Sequence, residues 1–319
     1  MDSVTVADTP ARPELTRLPF AWPDAMENAP VVHDGRPLLV LNYRDDSRGW
    51  HDHYAQDMYL YIVDLWTGQR VVEFGRGHSC VKAFVDGQRL HVYASEATNY
   101  DYFQSIYDFW TEDRKTWHRQ LVLRKEEGGP HMFNPSVCRD DQGFLMAYVA
   151  YAKARDPASF PYFRFARSSD LVHWEKVPQL AFAGPSGRQY SNTPAIRYVA
   201  PWYYVIFYTT VDETGRMADT SSRYVSMMAR SKDLVRWQLS PLNPVLQPES
   251  GEGISTSDVE LMEFEGNTYL FYAASNQMDG PAGWSAVRMA LHPRSMNEFL
   301  EGWFPEGAAM EEVLTCRTC

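Results

Sequence analysis

The sequence predicts an all-β fold assembled from one repeated hairpin unit, and three observations carry that prediction. Five segments repeat a short apolar run, a polar turn and a longer aromatic-rich run: ENAPVVHDGRPLLVLNYRDD (27–46), HSCVKAFVDGQRLHVYASE (78–96), NPSVCRDDQGFLMAYVAYA (134–152), NTPAIRYVAPWYYVIFYTT (192–210) and SDVELMEFEGNTYLFYAAS (257–275). Turn signals DG, DG, DQG and EG separate the runs in four copies, with VAP in the NTPAIRY copy, so each pair reads as a hairpin. The back halves repeat too: RSSDLVHWEKVP (167–178) and RSKDLVRWQLSP (230–241) nearly coincide, and TEDRKTWHRQLVL (111–123) is a weaker third copy. Together these predict a five-bladed β-propeller of four-stranded antiparallel blades. A two-sheet sandwich would not produce so regular a repeat.

The elements follow in chain order. Residues 1–26 form an N-terminal segment whose ELTRLPFAW (14–22) is expected to supply the outer strand of the last blade and close the ring. Residues 27–293 form the propeller, and 294–319 a C-terminal tail with a short helix near 295–301. Each Asp-Leu turn followed by Trp174 or Trp237 suits an outer hairpin whose indole covers a neighbouring sheet.

Bulk properties exclude several function classes. The chain has 319 residues, 45% hydrophobic and 14% aromatic, enough for a substantial core. Its net charge of −11, with no clustered Lys/Arg run, argues against nucleic acid as a partner. No window approaches the ~20 apolar residues of a membrane span, so no membrane partner is expected. The start lacks a basic region followed by an apolar stretch, and four cysteines do not frame a disulfide scaffold in a chain this long. Cys80 and Cys138 read as buried hydrophobes, and CRTC at 316–319 as a reducible end. A cytoplasmic location is expected.

In a propeller the first strand of each blade lines a central channel, and its N-terminal end shares a face with the loops between second and third strands. Counting back from the turn glycine places Glu27, Ser79, Asn134, Asn192 and Asp258 at equivalent strand heads. Aligning the first copy on Pro30 would substitute Asn28. A carboxyl crowded beside a narrow channel is partly desolvated and suited to proton transfer, although an Asp there can equally cap the strand-head loop. Glu27, Glu96 and Asp46 are the further candidate carboxyls. The same-face loops and strand heads offer His51, His78 and His131 as polar groups, Trp50, Tyr100 and Tyr190 as sugar-stacking rings, and Gln277 with Asn28, Asn134 and Asn192 as amides. HDH (51–53) alone is a weak metal signal and reads as a solvated loop. No cofactor is required, and the channel leaves room for a structural metal ion.

The segments NPSVCRDDQGFLMAY and SDVELMEFEGNTYLFYA and the two S-x-D-L-V-x-W repeats resemble the five-bladed-propeller glycosidases: glycoside hydrolase family 43, with its arabinanases and β-xylosidases, and the family 32 relatives. The resemblance implies a general-base Asp at the head of a first strand, often in a D-P-x-V context, and a general-acid Glu in an E-x-P context. Asp258 matches the base's strand position. Asn134 stands in the D-P-x-V context, and Asn192 (NTPAI) and Asn28 (NAPVV) fall where the E-x-P acid would be read. An amide can serve neither role, so the resemblance implies a degenerate site with its acid elsewhere, at Glu27 or Glu96. The leading expectation is a glycosidase acting on a small oligosaccharide or glycoside through two carboxylates. The alternative is a repurposed propeller: a non-hydrolytic acid–base enzyme acting on a metabolite, or a sugar-binding protein.

Overall fold

The computed structural model describes residues 11–43, 58–97, 103–151, 161–182, 191–212, 214, 223–276 and 284–314. It is almost entirely β, built of four-stranded antiparallel meanders in the manner of a propeller. The first meander comprises β2 (Asn28–His33), β3 (Arg36–Asn42), β4 (Leu60–Asp64) and β5 (Gln69–Phe74). The second holds β6 (His78–Asp86), β7 (Arg89–Glu96), β8 (Ser105–Thr111) and β9 (His118–Arg124). The third holds β10 (His131–Asp140), β11 (Gly143–Tyr151), β12 (Tyr162–Ser168) and β13 (Glu175–Phe182).

The remaining strands join one larger sheet through a single parallel contact, Tyr224 with Ser255. Within it, β14 (Asn192–Val199), β15 (Trp202–Val211), β16 (Arg223–Ser231) and β17 (Arg236–Leu239) form one antiparallel run. The other run is β18 (Ser255–Phe264), β19 (Asn267–Ser275) and β20 (Ser285–His292). Its fourth strand is β1 (Thr16–Pro23), which pairs antiparallel with β20. Arg17 of β1 also grips Glu249 and Glu252 ahead of β18, and the Tyr272 hydroxyl donates to Glu252.

The first strands contact one another in the order β2, β6, β10, β14, β18, and β18 also lies against β2. Apolar side chains fill the space between successive meanders. The middle strands are covered on both faces, so strict apolar–polar alternation gives way to nearly continuous apolar runs in β3, β11 and β15. Leu39, Leu41 and Tyr61 of the first meander, for example, pack with Met262, Phe271 and Val287 of the last.

The repeated outer motif explains itself atom by atom. Ser168 Oγ and Ser231 Oγ accept from the Leu171 and Leu234 N–H groups, and both leucines are left-handed at φ 63° and 60°. The indoles of Trp174 and Trp237 donate to the carbonyls of those leucines at 3.1 and 3.2 Å. Each indole covers the preceding meander: Trp237 meets Phe165 and Phe182, Trp174 meets Tyr93, and Trp117 of the weaker copy stacks on Phe74 at 3.8 Å.

Residues 294–314 are more ordered than a simple tail. Helix α1 (Met296–Gly302) starts at a capping box made by Ser295 and Glu298. It buries Phe299 and Leu300, with Trp303 beside them, in the core between the last two meanders. Strand β21 (Glu311–Leu314) then pairs with β17 as an additional edge. The aromatic residues of EFLEGWF, unhelpful to a solvated tail, are the sequence signal for this docking. Cys316 and Cys319 lie outside the described residues. Among the described residues, no helix is long and apolar enough to cross a membrane.

Candidate active site at the strand heads

Hairpin register corrects the expected set of equivalent strand heads. All five inner hairpins have two turn residues, closed by the pairs His33–Arg36, Asp86–Arg89, Asp140–Gly143, Val199–Trp202 and Phe264–Asn267. In the first and last, both turn residues have positive φ and glycine is second (Asp34–Gly35 and Glu265–Gly266). In the second hairpin glycine is first, at Gly87, so counting from glycine slips by one residue. In the four later hairpins the residue six positions before the closing pair is Cys80, Asn134, Thr193 or Asp258. In the first, β2 runs without a register shift and brings Asn28 to that level, with Glu27 next to it just before the strand. Cys80 therefore replaces Ser79, and Thr193 replaces Asn192.

The backbone marks the same positions independently. Cys80, Asn134, Thr193 and Asp258 all have positive φ, between 49° and 56°. At each of them the first strand carries one extra residue against its partner, a β-bulge. A left-handed β-branched Thr is a true outlier, costing of order 1–3 kcal/mol, and such outliers cluster at functional sites. Each bulge re-aims its side chain after the alternation of the strand has been set.

These residues form a buried collar. Thr193 Oγ1 donates to Asp258 Oδ1 at 3.0 Å, and Asn134 Nδ2 donates to Thr193 Oγ1 at 3.1 Å and to Asn192 Oδ1 at 3.2 Å. Asn192 Oδ1 also accepts from the Thr193 N–H. Asn28 donates through Nδ2 to the carbonyls of Met26 and Asp258, clasping the first and last meanders. Asp258 is 3% exposed and Glu27 7%. Cys80 senses both acids: burial pushes its thiol well above the ordinary range, and the charges of Glu27 and Asp258 push it further. Both carboxyls are thus buried and lie close enough to Cys80 for their charges to act on it.

Four positions before each closing pair stand Ala29, Lys82, Ser136, Ala195 and Glu260, the next layer down. Lys82, 2% exposed, reaches from the second meander to the last and ion-pairs with Glu260 Oε1 at 3.2 Å, without hydrogen-bond alignment. Arg197 Nη2 donates to Glu260 Oε2 at 2.6 Å. Burial acts to raise Glu260, but the charges of Lys82 and Arg197 overcome it and hold the carboxyl below its ordinary value. Two fixed cations here repel a further one, so this layer does not suit a metal ion. Among the described residues no cluster of three or more His, Cys, Asp or Glu could hold one.

The other expected site residues divide. The His78 ring is 3% exposed, packs edge-on against Tyr107 and Phe109, and pairs through Nδ1 with the Arg76 carbonyl. Burial holds it below its ordinary value, which favours the neutral ring. Glu96 ends β7 opposite His78 and is half-buried, as is His131 at the head of β10. Asp46, Trp50, His51, Tyr100, Tyr190 and Gln277 lie outside the described residues. Sequence reasoning missed Cys80, Thr193 and Lys82. VKAF and NTPAI look like ordinary strand text, and only the register exposes them.

No protein-family model matches the sequence, and no curated protein matches it. Solved structures do. A structure described as a glycoside hydrolase superposes with a TM-score of 0.62 at 13% identity, covering 92% of this chain and 94% of its own. The xylan β-1,4-xylosidase of Bacillus halodurans gives 0.57 at 12% identity, over 86% of this chain and 54% of that one. An exo-1,5-α-L-arabinanase from a bovine ruminal metagenomic library gives 0.54 at 12% identity, over 84% and 93%. At such identities the likeness concerns fold. The chain shares the propeller-type fold of these glycoside hydrolases.

Proposed function

We propose that the five meanders are the blades of one five-bladed propeller, closed where β18 meets β2, and that the chain is a glycosidase-like enzyme. Its substrate would be a small oligosaccharide or glycoside bound at the strand-head face. Asp258 would act as the base that activates water, and Glu27 as the acid that protonates the leaving oxygen. The observation that carries this reading is the strained collar that holds Asp258, with the buried Glu27 carboxyl just before β2 and both charges acting on the Cys80 thiol. Glu96 and Asp46 are the replacement acids if Glu27 is not used. Two buried free thiols, Cys80 and Cys138, fit a reducing cytoplasmic setting.

One observation favours the second reading, a repurposed propeller that binds sugar or performs acid–base chemistry without hydrolysis. Asp258 is buried and already accepts from Thr193, and the other three bulge positions, Cys80, Asn134 and Thr193, hold no carboxyl. A panel of nitrophenyl glycosides and oligosaccharides, assayed with wild type, Asp258→Asn and Glu27→Gln, separates the two. Hydrolysis requires turnover by wild type and a loss of about 10²-fold or more in Asp258→Asn, the scale of general-base loss. Saturable binding of sugars without turnover would select the second reading.

A further inference from the structure

We propose that Lys82 is a positioning residue for the collar: its ammonium, fixed by Glu260 one layer below, keeps Glu27 and Asp258 in the charge states that acid–base work requires. This rests on the carboxylate-pair reading of the site, and it adds a residue with no counterpart among the expected site residues.

Lysine is almost never fully buried unless paired, and Lys82 is 2% exposed inside the channel wall. The neighbours at its own level are small, Ala29, Ser136 and Ala195, which leaves the long side chain a path across to Glu260. Lys82 follows Cys80 by two residues on β6, as Glu260 follows Asp258 on β18. The collar residues stand in the bulges next to this ion pair on both strands, so the two levels are neighbours, about 7 Å apart at the rise of a strand. A unit charge at that distance in a medium of effective dielectric ~20 moves a carboxyl titration by roughly one to two pH units.

The charge has no evident structural purpose. An ion pair buried this deeply is at best neutral for stability compared with apolar residues of the same volume. Arg197 already neutralises Glu260 from the adjacent blade, so Lys82 leaves the layer with a surplus positive charge beneath two acids. Other titratable groups on the packed elements are Glu96 on β7, His78 and Cys80 on β6, Arg119 on β9, His131 on β10 and the Arg17–Glu252–Tyr272 cluster beside β18. They are common to every variant below and cancel in the comparison.

The test is a ¹³C NMR titration of the full chain labelled at the Asp and Glu carboxyl carbons, with the collar signals identified by their loss in Glu27→Gln and Asp258→Asn. Lys82→Met keeps length and removes the charge, and should raise the collar midpoints by roughly one to two pH units. Glu260→Gln should lower them. The double variant Lys82→Met/Glu260→Gln removes one charge of each sign, leaves Arg197 as the layer's single cation and so keeps its net charge. It should return them to within about half a unit of wild type. Midpoints that stay put, or that move the same way in both single variants, overturn the proposal. If Lys82→Met fails to fold, Glu260→Gln and the double variant still decide it. The readout needs no substrate, so failure to find glycosidase turnover leaves this result standing on its own.

Discussion

Thr193→Val is the sharpest probe of the collar because it changes one atom's chemistry and almost nothing of its shape. Valine at φ 50° is as strained as threonine, so the backbone cost is unchanged. What disappears is the hydroxyl that donates to Asp258 Oδ1 at 3.0 Å and accepts from Asn134 Nδ2 at 3.1 Å. The first bond involves an acid and contributes about 1.5–3 kcal/mol, and the second, between neutral groups, about 0.5–1.5 kcal/mol. Asn134 keeps its contact to Asn192, and burying a methyl in place of the hydroxyl returns roughly 0.8 kcal/mol. The expected net loss is about 1–4 kcal/mol, read as a lower urea midpoint at unchanged slope. Thr193→Ser, which keeps the hydroxyl, should lie near wild type. If Thr193→Val stays within about 0.5 kcal/mol of wild type, the collar bonds contribute nothing net and their role as a preorganised frame is refuted.

The outer motif and the buried thiols supply two further expected outcomes. Trp237→Ala should cost about 3–5 kcal/mol in denaturant unfolding, since the indole is 0% exposed, and Trp174→Ala should cost less because that ring is only partly buried. In a Cys316→Ser/Cys319→Ser background, a thiol-specific disulfide reagent at about pH 8 should label neither Cys80 nor Cys138 until the chain is unfolded. Burial raises both thiols, Cys138 to about 12, so the reactive thiolate is scarce while the fold is intact.

The architecture was legible because it is periodic. Hairpin turns recur with DG or EG, and the S-x-D-L-V-x-W sentence specifies a turn, a left-handed Leu and a covering Trp at fixed offsets. The site was half legible. Asn134 and Asp258 fell in register. Cys80 did not, because glycine stands first in its hairpin turn, and Thr193 did not, because its Ala200–Pro201 turn has no glycine to count from. Glu27 lies one residue outside Asn28 because β2 carries no bulge. Bulges have no signature in VKAF or NTPAI, since the extra residue matters only relative to a partner strand. Lys82 is invisible for a related reason: a lysine in a strand normally faces water, and only the distant Glu260 reveals otherwise. The clasp that Asn28 makes to the Met26 and Asp258 carbonyls was likewise illegible, since it joins the first strand to the last.

The pairing of β1 with β20 sets an order on folding. Thr16 meets Leu291, so a strand made early in synthesis must wait for one made nearly last. Until then β1 has no neighbour and β20 presents a free edge, open to pairing with another chain. Contacts this distant along the sequence also slow folding, because the entropy of closing so long a loop is spent before the contacts repay it. The Arg17 grip on Glu249 and Glu252 is therefore best seen as a latch that engages at the end. A circularly permuted chain that opens between β1 and β2 and links the end of β21 to the start of β1 would bring β1 far closer to β20 along the chain. It should refold faster and aggregate less than the native order, with the same final contacts.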